Sequence, residues 1–487
     1  MVNTHSAPAL PRFETAFEAL DPAFCTPCAP TPLDDLQLVH AQTALGHTLG
    51  LPTDWLHSDD FRQILAGAAP LPGAAPQASV YAGHQFGVFV PQLGDGRAHL
   101  IGRHQAPDHQ LWSWQLKGSG PTPYSRGADG RAVLRSTLRE YVASEALHAL
   151  GIPTTRALAF GVSQQPVQRE RTERAAIVLR MAPSFLRFGH FQFWAARGQA
   201  DRVRQLADAV IAQHFPALVG RYADWLTEII RRTARLMAQW QTVGFCHGVM
   251  NSDNFSILGL TIDYGPYGFL DAFDPQHICN HSDDAGRYAW DQQPQVGQWN
   301  CARLLEACLP LLNEDDNAAI EQANGIMGAY ATAYTDAISA RWRAKFGLAT
   351  QQPEDDALMQ DYLRLIARGR HDFTLCFRHL PRRALLMDLV LDQSALKDWL
   401  ARYDARLARE SMAQSTRTAA MDAANPLYVA RNHLLELAIR AAEHDDFSVL
   451  ERLMQALQHP FTEQAGLDDL AALPPNWAAA LSVSCSS

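Results

Sequence analysis

The chain contains no run approaching the roughly 18–20 apolar residues of a membrane-spanning helix, so no membrane partner is expected. Its opening residues, Met1 to Pro11, carry neither the basic patch nor the apolar stretch of a secretory signal. Together these absences predict a cytoplasmic protein. Positive charge is also short: 41 Lys and Arg stand against 51 Asp and Glu, a formal net charge of −10. That balance excludes nucleic-acid binding through bulk electrostatics, and any anionic ligand must meet a local cluster of cations. Cysteine is sparse and scattered, at Cys25, Cys28, Cys246, Cys279, Cys301, Cys308, Cys376 and Cys485, which is not the density of a disulfide scaffold. Cys25-Thr26-Pro27-Cys28 is a lone C-x-x-C without the second pair or spaced histidines of a zinc site, and reads as two small packing residues in a Pro-rich loop. Internal repeats and low-complexity tracts are missing as well.

What is present describes a folded chain. Hydrophobic residues make up 47% and charged residues 19%, values of a globular protein with a large core. A length of 487 residues predicts two or three units. Residues 1–75 mix short helical patterns with Pro-rich breaks and read as an N-terminal extension packed on the rest of the chain. Residues 76–192 read mainly as strands: Val88 to Val90, Ala98 to Ile101, Leu111 to Lys117 with Trp112, Trp114 and Leu116 on one face, and Ala175 to Met181. One helix is expected within this region, over 136–150, stopped by Gly151 and Pro153. The charged run Gln168 to Arg174 reads as a solvated hairpin loop. Residues 193–487 turn helical. Trp225, Leu226, Ile229, Ile230, Leu236, Met237 and Trp240 form a stripe ended by Gly244, and helices are expected over 301–313, 317–346, 355–369, 382–403 and 427–459. A β-rich lobe with one helix, followed by a larger helical lobe, is an α+β class chain with the bilobal layout of a protein kinase.

Several residues have types and spacings that suggest chemistry. Gly94-Asp95-Gly96-Arg97 lies between two strands. Asp-Gly is a hairpin signal, but glycines also let backbone approach a phosphate, and Arg97 adds a cation there. Lys117 ends a strand, where a lysine ordinarily snorkels to solvent. Kinases pair such a lysine with a glutamate of the next helix, and Glu140 is placed for that. Thr137-x-x-Glu140 equally matches a capping box. The stretch Gly118 to Arg131 is dense in Gly, Arg and hydroxyl residues, suited to wrapping a triphosphate. Arg180 and Arg187 flank Pro183; their expected partners are a phosphate or a carboxylate. In the helical half, His247-Gly248-Val249-Met250-Asn251-Ser252-Asp253-Asn254 precedes Asp263-Tyr264-Gly265. The pattern follows a kinase catalytic loop and its metal-binding Asp, with Asn254 and Asp263 as oxygen ligands. Val249 stands where the catalytic Asp is expected, and Asp253 is the carboxylate left to act as base.

Tyr81 to Gly87, Leu116 to Arg126, Asp129 to Arg135, Arg187 to Phe191, His247 to Asn254, Asn425-Pro426 through Arg431-Asn432, and the terminal Cys485-Ser486-Ser487 together resemble the selenoprotein O family, pseudokinases that act as protein adenylyltransferases. The resemblance runs from about residue 12 to the end. It implies a nucleotide flipped relative to ordinary kinases, and transfer of AMP from ATP to Ser, Thr or Tyr hydroxyls of proteins, the enzyme itself included. Some bacterial members are described as using UTP and Mn²⁺. By motif, the resemblance implies that Gly94, Gly96, Arg97, Lys117, Asp129, Gly130, Arg180, Arg187 and Asp263 bind nucleotide and that Glu140 orients Lys117. It also implies that Asn254 and Asp263 hold Mg²⁺ (or Mn²⁺) and that Asp253 accepts the proton. It further implies that Cys485 can bond to Cys279. An ordinary phosphoryl-transferring kinase, disfavoured by Val249, and an inactive nucleotide-binding scaffold are the alternatives.

Overall fold

Alternating apolar residues in the first third of the chain build one ten-stranded antiparallel sheet. The computed structural model describes residues 10–16 and 22–483. The strands are β1 (Phe13–Glu14), β2 (Cys25–Pro27), β3 (Gln37–Ala41), β4 (Gln77–Gln85), β5 (Val88–Gly94), β6 (Ala98–Gln105), β7 (Leu111–Lys117), β8 (Ala132–Val133), β9 (Arg156–Gln168) and β10 (Thr172–Ala182). Their spatial order is β2-β4-β6-β7-β10-β9-β3, with β1 on β6, β5 on β4 and β8 on β10. Successive strand side chains point to opposite faces, and the sequence uses both. Trp114 and Leu116 of β7, with Ile177, Leu179 and Met181 of β10, face an outer core. That core is capped by Leu45, Leu49, Leu56, Phe61 and Leu65 from the short helices Thr43–Thr48, Thr53–Leu56 and Asp59–Leu65. The other face of the same strands carries Gln115, Lys117 and Arg180, polar groups that need partners. In the register of β7 and β10, Arg180 stands opposite Gln115.

The helix on that inner face spans Leu134–Ala149. It begins two residues earlier than its apolar spacing suggests, so Thr137 lies inside the helix. Its N-cap, Val133, makes no side-chain cap bond. The capping-box role for Glu140 therefore does not exist, and its carboxylate is available to the sheet. The run 168–174 was expected to be a solvated hairpin loop; the hairpin is there, but only 169–171 is the turn, Gln168 and Thr172 to Arg174 belong to β9 and β10, and the arginines are engaged: Arg169 with Asp129, Arg171 with Glu443 and Arg174 with Asp445.

From Phe188–Ala195 onward the chain is mainly helical, with one two-stranded sheet of Phe245–Cys246 and Gly268–Phe269, giving an α+β chain with a sheet-rich N-terminal region and a helical C-terminal region, a kinase-like bilobal fold. Helix Tyr222–Val243 ends at Gly244, which takes the left-handed conformation (φ 73°) that favours glycine at a helix terminus. Helices Gln293–Ala307 and Asp316–Lys345 accompany it. Three expected helices are each broken in two, the first being 301–313, which falls in the end of Gln293–Ala307 and in Leu309–Leu312. Asp392 interrupts 382–403 by capping Ala395 N at 3.0 Å, leaving Arg383–Leu389 and Gln393–Leu407. In 427–459, Asp445 turns left-handed (φ 62°) and separates Asn432–Ala442 from Ser448–Gln458. Helices Phe373–Arg378 and Gln414–Ala424 were not expected from the sequence pattern. Among the described residues, no helix is long and apolar enough to cross a membrane.

The Asn425–Asn432 block has a structural explanation. Arg431 is 1% exposed and bridges Asp372 (2.8 and 3.1 Å) and Asp271. Asn432 accepts from Arg139 at 3.1 Å, and Arg139 also donates to Tyr267 O at 2.6 Å, so the N-terminal helix is tied to the helical region. Removing one partner of a buried ion pair strands the other charge. Arg431→Ala is expected to lower unfolding free energy by roughly 3–5 kcal/mol, measured by urea denaturation; a loss below about 1 kcal/mol would show the bridge to be solvated.

Candidate functional site

Between the two regions lies a cavity of about 740 Å³, lined by the 94–97 turn, the 118–131 loop, the inner face of β7 and β10, and the 249–254 and 263–266 segments. Its roof is fixed by close backbone packing. Gly94–Arg97 does not close a hairpin, because β5 pairs with β4 and β6 pairs with β4 and β7. The glycines are required by what packs on them. A Cβ on Gly94 (φ 156°) would sit 2.5 Å from the Tyr124 ring, and one on Gly96 would sit 3.0 Å from Tyr124 O. Gly130 (φ 67°) leaves no room either, its Cβ position being 2.1 Å from the Gly120 carbonyl. Thr122 donates to Asp95 O at 2.8 Å, and Ser125 donates to Gly96 O, which stitches the loop to the turn. Asp95 is buried, and burial raises its pKa, but its Oδ2 accepts from Ser79 N (3.0 Å) and Ser79 Oγ (2.6 Å). Asp129 faces Arg169 at 2.7 and 2.8 Å, and this pairing lowers its pKa. Arg97 and Arg126 are exposed at the cavity.

At the deep end, three cations meet two carboxylates. Lys117 Nζ lies 2.6 Å from Glu140 Oε2 and 3.9 Å from Asp263 Oδ1. Arg180 donates to Glu140 Oε1 at 2.8 Å, to Asp263 Oδ1 and to Gln115 Oε1. Arg187 donates to Asp263 Oδ2 and, at 3.0 Å, to the backbone carbonyl of Asp253, with its guanidinium 4.8 Å above the Tyr81 ring. Burial alone would raise Asp263, but Arg187, Arg180 and Lys117 hold it well below the usual carboxylate range. Burial pushes Lys117 down against the pull of Glu140. Asp263 sits at φ 57°, a conformation that a non-glycine residue keeps only when its surroundings hold it there.

The 247–254 loop presents the third part. His247 donates from Nε2 to Ile262 O at 3.0 Å, accepts from Val249 N at 3.3 Å and stacks on Trp240, so it braces the segment before Asp263. Burial keeps its imidazole below the usual range. Asn254 Nδ2 donates to Val249 O at 2.9 Å. Asp253, in the Ser252–Asn254 turn, is pressed against β4: a Cβ on Gly83 would fall 2.4 Å from its Oδ1. That oxygen is buried and has no hydrogen-bond partner among the described residues. Burial raises the Asp253 pKa to about 6, opposed by Arg187.

The structure thus brings Gly94, Gly96, Arg97, Lys117, Asp129, Gly130, Arg180, Arg187, Asp253, Asn254 and Asp263 to one cavity, with Glu140 behind Lys117. Cys279 stands apart, buried with its Sγ 3.1 Å from Cys246 Sγ; Cys485 lies outside the described residues. Sequence reasoning missed the parts played by Gln115, Tyr81 and Arg169. Gln115 was discoverable: with Trp114 and Leu116 committed to one face of β7, Gln115 and Lys117 share the other. Arg169 and Tyr81 left no such signal, because their roles depend on contacts distant in sequence.

The family profile described as "Protein adenylyltransferase SelO" matches residues 9–458. A protein nucleotidyltransferase YdiU of Bordetella petrii is 50% identical, covering 98% of both chains. One from Thioalkalivibrio sulfidiphilus is 50% identical over 98% of this chain and 99% of its own. One from Yersinia pseudotuberculosis is 48% identical with the same coverage.

The raised Asp253 pKa sets a testable sign. A group whose folded pKa lies above its ordinary value favours folding most at low pH, and loses that contribution as pH rises through the folded value. The rise from 3.8 to about 6 corresponds to about 3 kcal/mol at neutral pH. In metal-free buffer, Asp253→Asn is expected to be more stable than the parent above pH 6, with the difference shrinking towards pH 4. Chemical denaturation at several pH values measures it; equal stability throughout would mean the carboxylate is solvated.

Proposed function

The chain belongs to the SelO family of protein adenylyltransferases and is a nucleotidyltransferase, and from that premise we propose that it moves AMP from ATP to Ser, Thr or Tyr hydroxyls of proteins, itself included, releasing pyrophosphate. The observation that carries this is the cluster of Lys117, Arg180 and Arg187 at the deep end of the cavity, facing a loop where Val249 replaces the usual base. A kinase needs the terminal phosphate at the acceptor. Three cations deep in the cavity favour the opposite pose, with the β- and γ-phosphates inward and the α-phosphate outward.

In this mechanism Lys117, held by Glu140, and the two arginines grip the departing pyrophosphate. Arg97 and the backbone around Gly94, Gly96 and Gly130 border the rest of the nucleotide, with Asp129 positioned by Arg169. The acceptor oxygen attacks the α-phosphorus, the bond from that phosphorus to the bridging oxygen breaks, and the hydroxyl proton passes to Asp253. A carboxylate with a pKa near 6 and one unpartnered oxygen suits that task.

The donor set also fits a hard divalent cation. Asn254 and Asp263 offer only oxygen, and among the described residues no group of three or more His, Cys, Asp or Glu forms a protein-only cage. Mg²⁺ typically takes one or two protein oxygens and completes its shell with phosphate and water. Asn254 and Asp263 would hold Mg²⁺ or Mn²⁺, which would supply charge neutralisation at the reacting phosphate. The arginines that now occupy both Asp263 oxygens would find phosphate oxygens as alternative partners.

Redox control belongs to the same proposal. His281 N donates to Val483 O at 2.9 Å, which lays Val483 beside the Cys279 segment, and Cys485 follows two positions later in the sequence. Peptide mapping of mildly oxidised protein is expected to find a Cys279–Cys485 cross-link; its absence would remove this control. For the reaction, ATP labelled at the α-phosphate should leave label on protein, and ATP labelled at the γ-phosphate should leave none. α-Labelled UTP in the same assay reads UMP transfer. Asp253→Ala should cut the signal about a hundredfold or more, the range of a positioned general base, while the thermal shift with Mg·ATP persists. Label from the γ-position alone would make the protein a kinase.

A further inference from the structure

The hairpin between β4 and β5 carries a cost that folding does not explain. Gln85 pairs with Val88, so Phe86 and Gly87 form a two-residue turn, and both have positive φ (51° and 88°). Such turns favour Asn-Gly or Asp-Gly, because a bulky side chain is strained at the first position. The backbone of Phe86 is held there: its N–H donates to Asn251 Oδ1 (3.1 Å) and to Tyr288 Oη (3.0 Å), and the Tyr288 hydroxyl donates to the same Asn251 oxygen at 2.7 Å. Its side chain is not buried in return. Phe86 is 38% exposed at the edge of the cavity, and Phe89, three positions on, is 36% exposed.

The two phenylalanines are joined by one run of ring contacts. Phe86 packs on Tyr288 at 5.1 Å, and Phe89 packs on His84 at 5.0 Å, which meets Trp299 edge-on at 5.1 Å. Arg287 closes the run, its guanidinium 4.9 Å over the Trp299 ring and 6.0 Å over that of Tyr288. It lies against the turn, 3.1 Å from where a Cβ on Gly87 would sit. Arg303, on the same Trp299 ring, is paired with Glu306. Arg287 makes no ion pair among the described residues, and its Nε is buried without a hydrogen-bond partner. Burial, with Arg303 and Arg287 nearby, holds the His84 imidazole below its usual range, so the local field is that of cations.

This surface continues the cavity. Gln85 and Phe86 line it together with Asp253, whose side chain packs against Gly83. Gly83 and Phe86 are three residues apart, about 10 Å of extended chain. A polypeptide with its hydroxyl at Asp253 therefore leaves past Phe86. Strand addition is not how it is read, because β5 is blunted: Pro91 has no N–H and its carbonyl accepts from Arg197 at 3.1 Å.

We propose that Phe86, Phe89 and Arg287 form the docking site for the acceptor polypeptide, taking an apolar side chain on the two rings and a carboxylate on the arginine. This rests on the transfer to protein hydroxyls proposed above and names the segment that is modified. It is an extended segment with a residue such as Leu two or three positions from the hydroxyl, and Asp or Glu further out.

The test is transfer from α-labelled ATP to a synthetic peptide array. Each peptide has one central Thr or Tyr in an Ala–Gly background, with Leu, Glu, Lys or Ala placed singly on either side. Leu two or three positions away, and Glu beyond it, should each raise the initial rate about fivefold or more over Ala. Phe86→Ala should abolish the Leu preference while the thermal shift with Mg·ATP persists. If Phe86→Ala loses that shift, Phe89→Ala, outside the strained turn, decides the same point. Arg287→Glu should place Lys peptides above Glu peptides, a reversal that a merely structural arginine does not produce. Equal rates on all peptides, or self-modification with no peptide labelled, overturn the docking site and leave the transferase reading standing. A dimer of the parent that Phe89→Ala dissolves, without any peptide preference, assigns the patch to a second copy and overturns it too. No label on peptide or enzyme from α-labelled ATP or UTP means that the transferase reading fails, and the docking site with it.

Discussion

Asp263 is the point on which the site is assembled. Its two oxygens are shared among Arg180 and Arg187, with Lys117 at 3.9 Å, and Glu140 takes the remaining reach of Lys117 and Arg180. Three cations against two carboxylates leave one positive charge in surplus, in a chain whose overall charge is negative. Desolvating these groups costs several kcal/mol per ion, and mutual attraction offsets it only when geometry is good and the other polar atoms are bonded. Gln115 and the Asp253 carbonyl supply those extra bonds. The cluster joins β7, β10, the Leu134–Ala149 helix and the 263 segment, so the relative placement of the two regions and the charge of the cavity are set by the same contacts.

Much of this was legible in the sequence. The order of a strand-rich half and a helical half followed from apolar spacing, and the Tyr222–Val243 helix ends where Gly244 said it should. Lys117 and Glu140 were paired by position, though the capping alternative could be dismissed only once the helix start at Leu134 was known. Charge partners were the least legible part. Arg180 needed an anion, and the sequence could not choose between phosphate and carboxylate; the fold supplies Glu140 and Asp263, residues 40 and 83 positions away. Helix breaks at Asp392 and Asp445 were missed because periodic apolar residues continue on both sides, and a single capping or left-handed Asp outweighs the pattern.

Two buried carboxylates show what separates scaffold from chemistry here. Burial raises the pKa of both Asp95 and Asp253. Asp95 receives two hydrogen bonds from Ser79, both at Oδ2, and anchors the glycine turn. Asp253 keeps one oxygen without a partner, which weakens the fold, because Gly83 lets β4 close over it. Nothing in folding requires an aspartate in that place, and an apolar side chain of similar size would be easier to bury. A destabilising, desolvated carboxylate beside a cluster with surplus positive charge is instead what the proposed proton transfer would use. The pKa near 6 follows from that same desolvation, so the property that weakens the fold at neutral pH is the one that would suit Asp253 to the proton-accepting role proposed for it.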